Sequence, residues 1–204
     1  MSASADLKRL ITLGVPVVTT SQAAAVFRAS VGAANKTLSR LALAGLVLRI
    51  RHGLWATRPA LDPKVLPEYL TQPWPSYISL QTALYAHGMI EQIPSVIFAV
   101  SLDRARRIRT SVGTFLIHHV APEFFGGFEE KGGVKMATPE KALLDMLYLS
   151  GTRARMLSGL PELELPPRFR MHVVKQWLAR VPNARTRTHM KRKLELVAAQ
   201  FRNS

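Results

Sequence analysis

Apolar positions in roughly the first sixty residues recur at helical spacing and then alternate as they do along strands. The pattern predicts helices over residues 5–13, 20–27 and 30–44, followed by hairpin strands over residues 46–51 and 54–57. Ser30 is the expected N-cap of the third helix. Gly45 is expected to end that helix, because glycine adopts the left-handed conformation at little cost. The turn His52-Gly53 is of the kind that closes a tight hairpin.

The order of these elements predicts an N-terminal winged helix-turn-helix, with the third helix as the recognition helix. Ala34, Leu38 and Leu41 share one face of that helix and are expected to pack inward. Polar residues elsewhere on it are expected to enter the major groove of DNA, while basic residues of the hairpin hold phosphates. These candidates are Asn35, Lys36, Ser39 and Arg40 on the helix and Arg49, Arg51, His52 and Arg58 on the hairpin. The alternative is a structural module whose basic residues only keep it solvated.

Beyond the hairpin, the pattern predicts a second domain of mixed α and β structure. Residues 1–62 form the expected first domain, the proline-rich residues 63–75 a linker, and residues 76–204 the second domain. Its expected elements are a helix over residues 77–88, strands over 96–101, 113–120 and 134–137, and helices over 138–149, over 168–181 and from Thr186 or Thr188 onward. The expected fold class is therefore α+β, with a C-terminal domain that ends in helices.

The net charge of +15 is concentrated at the two ends of the 204-residue chain. Residues 1–62 hold eight lysines and arginines against two aspartates, and residues 151–204 hold twelve against three glutamates. In residues 63–150, eight basic and eight acidic residues balance. Segregated positive charge is typical of proteins that bind a polyanion, because each phosphate contact releases a condensed counterion. The charge therefore favours double-stranded DNA as the partner.

A second cationic cluster begins the last predicted helix. Lysines and arginines near a helix N-terminus oppose the helix dipole, so they do not stabilise their own helix. An anionic partner explains them, and a solvated basic face that aids solubility is the alternative. The residues of this second candidate anion-binding patch are Arg185, Arg187, Lys191, Arg192 and Lys193.

Features that the sequence lacks disfavour several classes of protein. No apolar run approaches the roughly 20 residues that span a bilayer, and the N-terminus has no apolar signal core. A cytoplasmic protein without a membrane partner is therefore expected. The absence of cysteine excludes thiolate metal sites, disulfides and a cysteine nucleophile. Because phosphate-cradling and nucleophile-elbow motifs are also missing, we expect no enzyme activity, cofactor, metal or small-molecule substrate.

A metal-dependent nuclease is the least favoured alternative. Glu129, Glu130 and Lys131, together with Asp103, match part of a nuclease metal site. Nothing in the sequence brings two of these carboxylates together on one ion. The pair His118-His119 lies on a predicted strand, where neighbours point to opposite faces and do not readily share a metal.

Four later segments resemble the AbiEi antitoxins of type IV toxin-antitoxin systems. They are YISLQTALYAHGMIEQIP at residues 77–94, GTFLIHHVAPEFF at 113–125, ATPEKALLDMLYLSG at 137–151 and LPELELPPRF at 160–169. The run TPEKALLD is the most specific of these, and such proteins also begin with a winged helix-turn-helix.

The resemblance implies an N-terminal domain that binds and represses the operon's own promoter, and a C-terminal α+β domain with antitoxin activity. It implies a nucleotidyltransferase-like toxin as a second partner and marks Glu140, Lys141 and Asp145 as family-motif residues. The expected function is a DNA-binding autorepressor with an antitoxin-like C-terminal domain. The alternative is a protein-protein interaction module that neutralises the toxin, with DNA binding secondary.

Overall fold

The computed structural model describes residues 3–150 and 162–202 of the chain. The chain divides into two compact units: unit 1 contains Met1–Tyr69 and Arg109–Gly113, and unit 2 contains Leu70–Ile108 and Thr114–Ser204. Both units contain helices and strands, so the fold is α+β, as the sequence predicts. In the described ranges, no helix is long and apolar enough to cross a membrane.

Unit 1 combines three helices with a small sheet. Its elements are α1 (Ala3–Thr12), β1 (Val17–Thr19), α2 (Thr20–Phe27), α3 (Val31–Leu43), β2 (Leu48–Arg51) and β3 (Leu54–Ala56). β3 lies between β1 and β2 and pairs with both in antiparallel fashion. Leu10, Phe27, Leu38 and Trp55 belong to one buried cluster that joins the helices to the sheet. Burial of these large apolar side chains stabilises the unit.

Capping residues fix the ends of α2 and α3. Thr19 is the N-cap of α2 and forms a capping box with Gln22, in which each side chain accepts from the other residue's backbone N–H. Ser30 caps α3 as predicted. Gly45 follows α3 with a φ of 69°, a left-handed conformation that glycine adopts without steric cost.

The segment Arg109–Gly113 belongs to unit 1 although it is distant in sequence. Ser111 donates its backbone N–H to the carbonyl oxygen of Ile50 at 3.0 Å. Its hydroxyl donates to the carbonyl oxygen of Arg49, 62 residues away, at 2.7 Å. These two bonds satisfy carbonyls on the outer edge of β2, which is an edge strand of the small sheet.

The expected linker is folded. Pro63–Val65 forms a turn of 3-10 helix, and α4 (Leu66–Leu70) follows it directly. Asp62 caps the turn by accepting from the backbone N–H of Lys64 at 2.9 Å. Pro63 and Pro67 stand in the first turns of these short helices, where proline is tolerated because its missing N–H has no helical partner there. The division between the two units falls after Tyr69, inside this segment.

Unit 2 is built on a six-stranded sheet packed against helices. Its strands are β4 (Ser76–Ile78), β5 (Ile97–Ser101), β6 (Arg106–Thr110), β7 (Gly113–His119), β8 (Phe128–Lys131) and β9 (Val134–Ala137), in the spatial order β6-β7-β5-β4-β9-β8. The helices are α5 (Leu80–Ala86), α6 (Pro139–Ser150), α7 (Met171–Ala179) and α8 (Ala184–Arg202). α6 is the central helix, because it contacts α5, α7 and α8 and almost all of its residues are buried.

Some predicted boundaries in unit 2 are wrong. The helix predicted over residues 77–88 begins only at Leu80, because Ser76–Ile78 pairs as a strand with β5 on one side and β9 on the other. The last helix starts earlier than expected, because the side-chain oxygen of Asn183 accepts from the backbone N–H of Thr186 at 3.0 Å and caps it. The strands predicted over residues 96–101, 113–120 and 134–137 are present.

Candidate nucleic-acid interface

The exposed side of α3 is polar and carries no carboxylate. The three apolar residues predicted to pack inward are fully buried. Asn35 and Lys36 are exposed, Ser39 is half-buried, and Leu43 is 91% exposed. Lys36 and Leu43 are two helical turns apart and so lie on the same side. Amide, ammonium and hydroxyl groups are donors and acceptors that match base edges, and an exposed aliphatic side chain suits a thymine methyl group.

The β2–β3 hairpin presents its arginines in an ordered arrangement. Arg49 and Arg51 are exposed on either side of the buried Ile50. The Arg49 guanidinium carbon lies 5.5 Å from the centre of the Trp55 ring, and Nη2 of Arg49 lies 3.5 Å from Nδ1 of His52. A stacked guanidinium loses less freedom when it engages an anion, so this residue is partly pre-ordered for a phosphate. His52 is exposed, and so is Arg58, which follows β3.

The segment that holds these elements is free of acidic residues. Between Leu13 and Leu61 the sequence contains six lysines and arginines and no aspartate or glutamate. None of the cations on α3 or the hairpin therefore has an acidic neighbour within the segment. Within this segment a duplex would meet cations and no carboxylate.

Arg40 differs from the other α3 candidates because it already has a counter-ion. Its Nη2 lies 3.8 Å from Oδ2 of Asp6 on α1, and the Asp6 side chain is only 3% exposed. The second oxygen of Asp6 has no hydrogen-bond partner within the described part of the chain. Arg40 thus neutralises a buried carboxylate, which ties it to the packing of α1 on α3.

Arg40→Ala is expected to lower the free energy of unfolding by about 1 kcal/mol, because it leaves the Asp6 carboxylate buried without its cation. The figure is modest because the arginine side chain is 60% exposed, so water screens the pair. Urea unfolding measures the loss. The double variant Asp6→Asn/Arg40→Ala should recover most of it, and equal losses in the two variants would contradict the pairing.

Arg109 joins the candidate interface although the sequence did not point to it. It is exposed, it belongs to unit 1, and it stands two residues before Ser111, which bonds to the backbone of β2. The only signal in the sequence is that it closes a run of arginines that alternates partly as a strand does. The pairing of that strand's end with the hairpin is a long-range contact without a local pattern.

The five cations of the second candidate patch differ in exposure. Arg187 and Lys191, one helical turn apart, line a groove between α7 and α8. Arg185 and Arg192 are exposed outside that lining, and Lys193 is half-buried. The joint role of these residues as an anion-binding patch stays a prediction, and helical periodicity distributes them around the axis of α8.

Two charged residues of α6 belong to a buried polar network. Lys141 and Asp145 are fully buried, one turn apart, and are ion-paired through Nζ and Oδ1. Tyr77 donates its hydroxyl to Oδ2 of Asp145 at 3.0 Å, and Ser79 donates to the same oxygen at 2.7 Å. The Lys141 ammonium donates to the Tyr77 hydroxyl at 2.8 Å and lies 4.0 Å from the centre of the Phe124 ring.

The network holds its charges against a strong desolvation cost. Burial raises the pKa of Asp145, and the Lys141 charge and the three donated hydrogen bonds oppose that shift. Burial likewise lowers the pKa of Lys141, with Asp145 opposing it. The pKa of Tyr77 is raised by burial and by the neighbouring Asp145 charge. The network joins β4, α6 and the turn before β8. Because none of its groups reaches solvent, it offers no atom to a substrate.

Ser79 illustrates the cost of this arrangement. It occupies the N-cap position of α5 but makes no capping hydrogen bond, because its hydroxyl serves Asp145. Leu80, the first residue of α5, has a φ of 54°, a conformation that non-glycine residues rarely adopt. The start of α5 therefore lacks a side-chain cap and contains a strained residue, while the hydrogen bond to the network is kept.

Glu140, at the start of α6, connects that helix to α7. Its Oε1 accepts from the backbone N–H of Arg170 at 2.9 Å and from its Nε at 3.3 Å. Burial raises the pKa of Glu140, but hydrogen bonds from its own backbone N–H and from Arg170 outweigh burial and hold it below its usual value. Because Arg170 is the N-cap residue of α7, Glu140 fixes where that helix begins.

Gly127→Ala is expected to lower the free energy of unfolding by about 2–4 kcal/mol. A Cβ at this glycine, whose φ is 72°, would lie 2.9 Å from Cγ of Lys141 and 3.0 Å from Cζ2 of Trp177. Urea unfolding followed by circular dichroism measures the loss.

The matched control for this substitution is Gly132→Ala. Gly132 has a similar φ of 60°, but nothing lies within 4 Å of its Cβ position. The Gly132→Ala variant should lose only about 1 kcal/mol, the cost of placing alanine in a left-handed backbone conformation. Equal losses of stability at the two positions would show that the close contact between Gly127 and Lys141 adds nothing to the cost of the substitution.

The residues considered for a metal site do not converge. Asp103 is ion-paired with an arginine at 2.6 Å. Glu129 and Glu130 are exposed neighbours on β8, where successive side chains face opposite sides. His118 is half-buried and His119 exposed, as strand alternation predicts. Within residues 3–150 and 162–202, no group of three or more histidines and carboxylates is close enough to hold a metal.

Comparison with known proteins finds no family model and no curated protein that matches the chain. The function proposed below therefore rests on the residues, their exposure and their charge, together with the resemblance of the four sequence segments.

Proposed function

We propose that unit 1 is a winged helix-turn-helix that binds double-stranded DNA, with α3 as the recognition helix and the β2–β3 hairpin as the wing. One observation carries the proposal: Lys36 on α3 and the arginines of the hairpin are exposed within a segment that has no carboxylate. The order of the helices and the hairpin is the one found in winged helix-turn-helix proteins. In that class a helix fills the major groove and the wing follows the DNA backbone.

The residues divide by role within this proposal. Base edges are contacted by Asn35, Lys36 and Ser39, because these side chains project from the exposed side of α3. The cations of the wing neutralise phosphates and set the register on the duplex. Those phosphate-binding residues are Arg49, Arg51, His52 and Arg58, with Arg109 as the addition from the distant segment. Arg40 contributes less, because its charge is shared with Asp6.

The biological role we propose is that of a cytoplasmic, non-enzymatic repressor of its own promoter with an antitoxin-like C-terminal domain. The resemblance of four segments to AbiEi antitoxins supports this role.

A second candidate function is a module that neutralises a nucleotidyltransferase-like toxin, with DNA binding secondary. The observation that favours it is the excess of positive charge in residues 151–204, twelve basic residues against three glutamates, which lie outside the proposed DNA reader. An acidic surface on a protein partner would complement that charge.

Competition binding tests the proposal. The intact chain is titrated into a labelled duplex from upstream of its own reading frame, and unlabelled upstream and shuffled duplexes then compete. Unlabelled upstream DNA is expected to compete at least about 100-fold better than shuffled DNA. Equal competition would remove the promoter-specific role, and failure to bind either duplex would remove the DNA-binding role.

Where a nucleotidyltransferase-like protein is encoded beside this chain, co-expression with it separates the two candidate functions. A Lys36→Ala/Arg51→Ala variant that loses promoter binding but still neutralises the toxin would assign the two functions to different surfaces. Loss of neutralisation together with DNA binding would instead make repression the means of protection.

A further inference from the structure

The groove between α7 and α8 has an apolar floor. Its volume is about 650 Å³, within the range of roughly 300–1,000 Å³ that small-molecule pockets occupy. Leu178 and Leu194 form the floor together with Ala179. The two leucines are 5% and 8% exposed. A small part of each aliphatic side chain therefore faces the groove, and the remainder of the side chain packs in the core.

The rim of the groove carries excess positive charge. Lys175 comes from α7, whereas Arg187, Lys191 and the single carboxylate, Glu195, come from α8. In the part of the chain that the structure describes, neither lysine is ion-paired with a carboxylate. Nη1 of Arg187 donates to the carbonyl oxygen of Val181 at 3.2 Å, which restrains that side chain. The chain therefore leaves most of the positive charge around the floor uncompensated.

An anion with an apolar body satisfies both parts of this groove. We propose that it binds a small amphipathic anion, an aromatic or aliphatic carboxylate, sulfonate or phosphate ester. The acidic head pairs with Lys175 and Lys191, and the apolar body covers the leucine floor. A DNA phosphate would use the cations alone and gain nothing from the floor. The site lies wholly in unit 2 and does not depend on whether unit 1 binds DNA.

The probe for this site is 8-anilinonaphthalene-1-sulfonate, which joins an aromatic body to a sulfonate and fluoresces in apolar surroundings. The intact chain is expected to bind it saturably. Lys175→Ala/Lys191→Ala should weaken binding about tenfold. The matched control Arg185→Ala/Arg192→Ala removes the same charge from the same region but outside the groove, and should change binding less than about twofold. Equal weakening in both variants would overturn the site.

Three further arms test the apolar half of the proposal. Ala179→Trp fills the groove from an exposed position and should abolish saturable binding. Decanoate should displace the probe, whereas inorganic phosphate at the same concentration should not. The neutral analogue N-phenyl-1-naphthylamine should bind at least about tenfold more weakly than the sulfonate. Displacement by phosphate or by short DNA, or equal binding of the neutral analogue, would overturn the proposal. Thermal unfolding confirms that each variant is folded.

Discussion

Replacing Asp145 by asparagine is expected to lower the free energy of unfolding by about 3–5 kcal/mol, the usual cost of leaving one partner of a buried ion pair alone. Asparagine keeps the size of the side chain and can still accept from Tyr77 and Ser79, so the loss isolates the charge. Lys141, fully buried in the native structure, would retain only the Tyr77 hydroxyl and the aromatic rings around its ammonium. Urea unfolding of the variant and the native chain measures the difference.

A double-mutant cycle with Lys141→Met shows whether the pair acts as a unit. The double variant Lys141→Met/Asp145→Asn has no unpaired buried charge, so its loss of stability should be clearly smaller than the sum of the two single losses. The resulting coupling energy is expected to be about 2–3 kcal/mol. Additive losses would contradict the network, because they would mean that the two side chains stabilise the fold independently.

Replacing Lys36 and Arg51 by alanine together is expected to weaken binding to the upstream duplex by about 2–3 kcal/mol, or roughly 30–150-fold. The first residue represents the proposed base-reading side of α3 and the second the proposed phosphate-binding wing. Both side chains are exposed, and within the described residues neither is ion-paired, so the fold should be unchanged. Fluorescence anisotropy at fixed salt measures the two affinities.

The control for this pair is Arg104→Ala/Lys131→Ala. It removes the same charge from exposed positions of unit 2. Its affinity for DNA should fall less than about threefold, which is the size of a non-contacting, screened charge effect. If the control weakened binding as much as the α3 and wing variant, positive charge alone would explain binding and the recognition role of α3 would be wrong.

Features with local causes could be predicted from the sequence. The inward face of α3, the cap at Ser30 and the glycine after the helix all follow from residues within a few positions of one another. The start of α6 after Thr138 is of the same kind, because a hydroxyl cap and a proline at the first helical position act within a single turn. The polar, exposed side of α3 followed from the same periodicity.

Features that depend on distant contacts could not be predicted. Tyr77 reads as part of a helix by periodicity, but it is a strand residue because β5 and β9 pair on both sides of it. Its hydroxyl bonds to Asp145, 68 residues away. A lysine and an aspartate four residues apart are typical of a solvent-exposed helix face. The Lys141–Asp145 pair is buried instead, because aromatic residues from distant parts of the sequence pack around it. Long-range contacts therefore decide both the strand at Tyr77 and the burial of this pair.

The candidate interface shows the same division. Exposure of Asn35 and Lys36 follows from helical geometry alone. The involvement of Arg40 with Asp6 depends on how α1 packs against α3, and the addition of Arg109 depends on a pairing across 62 residues between Ser111 and Arg49. Sequence patterns therefore identified the surface, and tertiary contacts decide which of its cations are available to a ligand.

The most direct test of the central claim is the salt dependence of binding between the intact chain and its upstream duplex. If Arg49, Arg51, Arg58 and Arg109 each neutralise a phosphate, the logarithm of the affinity should fall with the logarithm of salt concentration at a slope of roughly −3 to −4. That slope corresponds to a loss of about 150-fold between about 50 and 200 mM salt. Absence of binding at the lower concentration, or an affinity that does not change with salt, would contradict a DNA-binding role for unit 1.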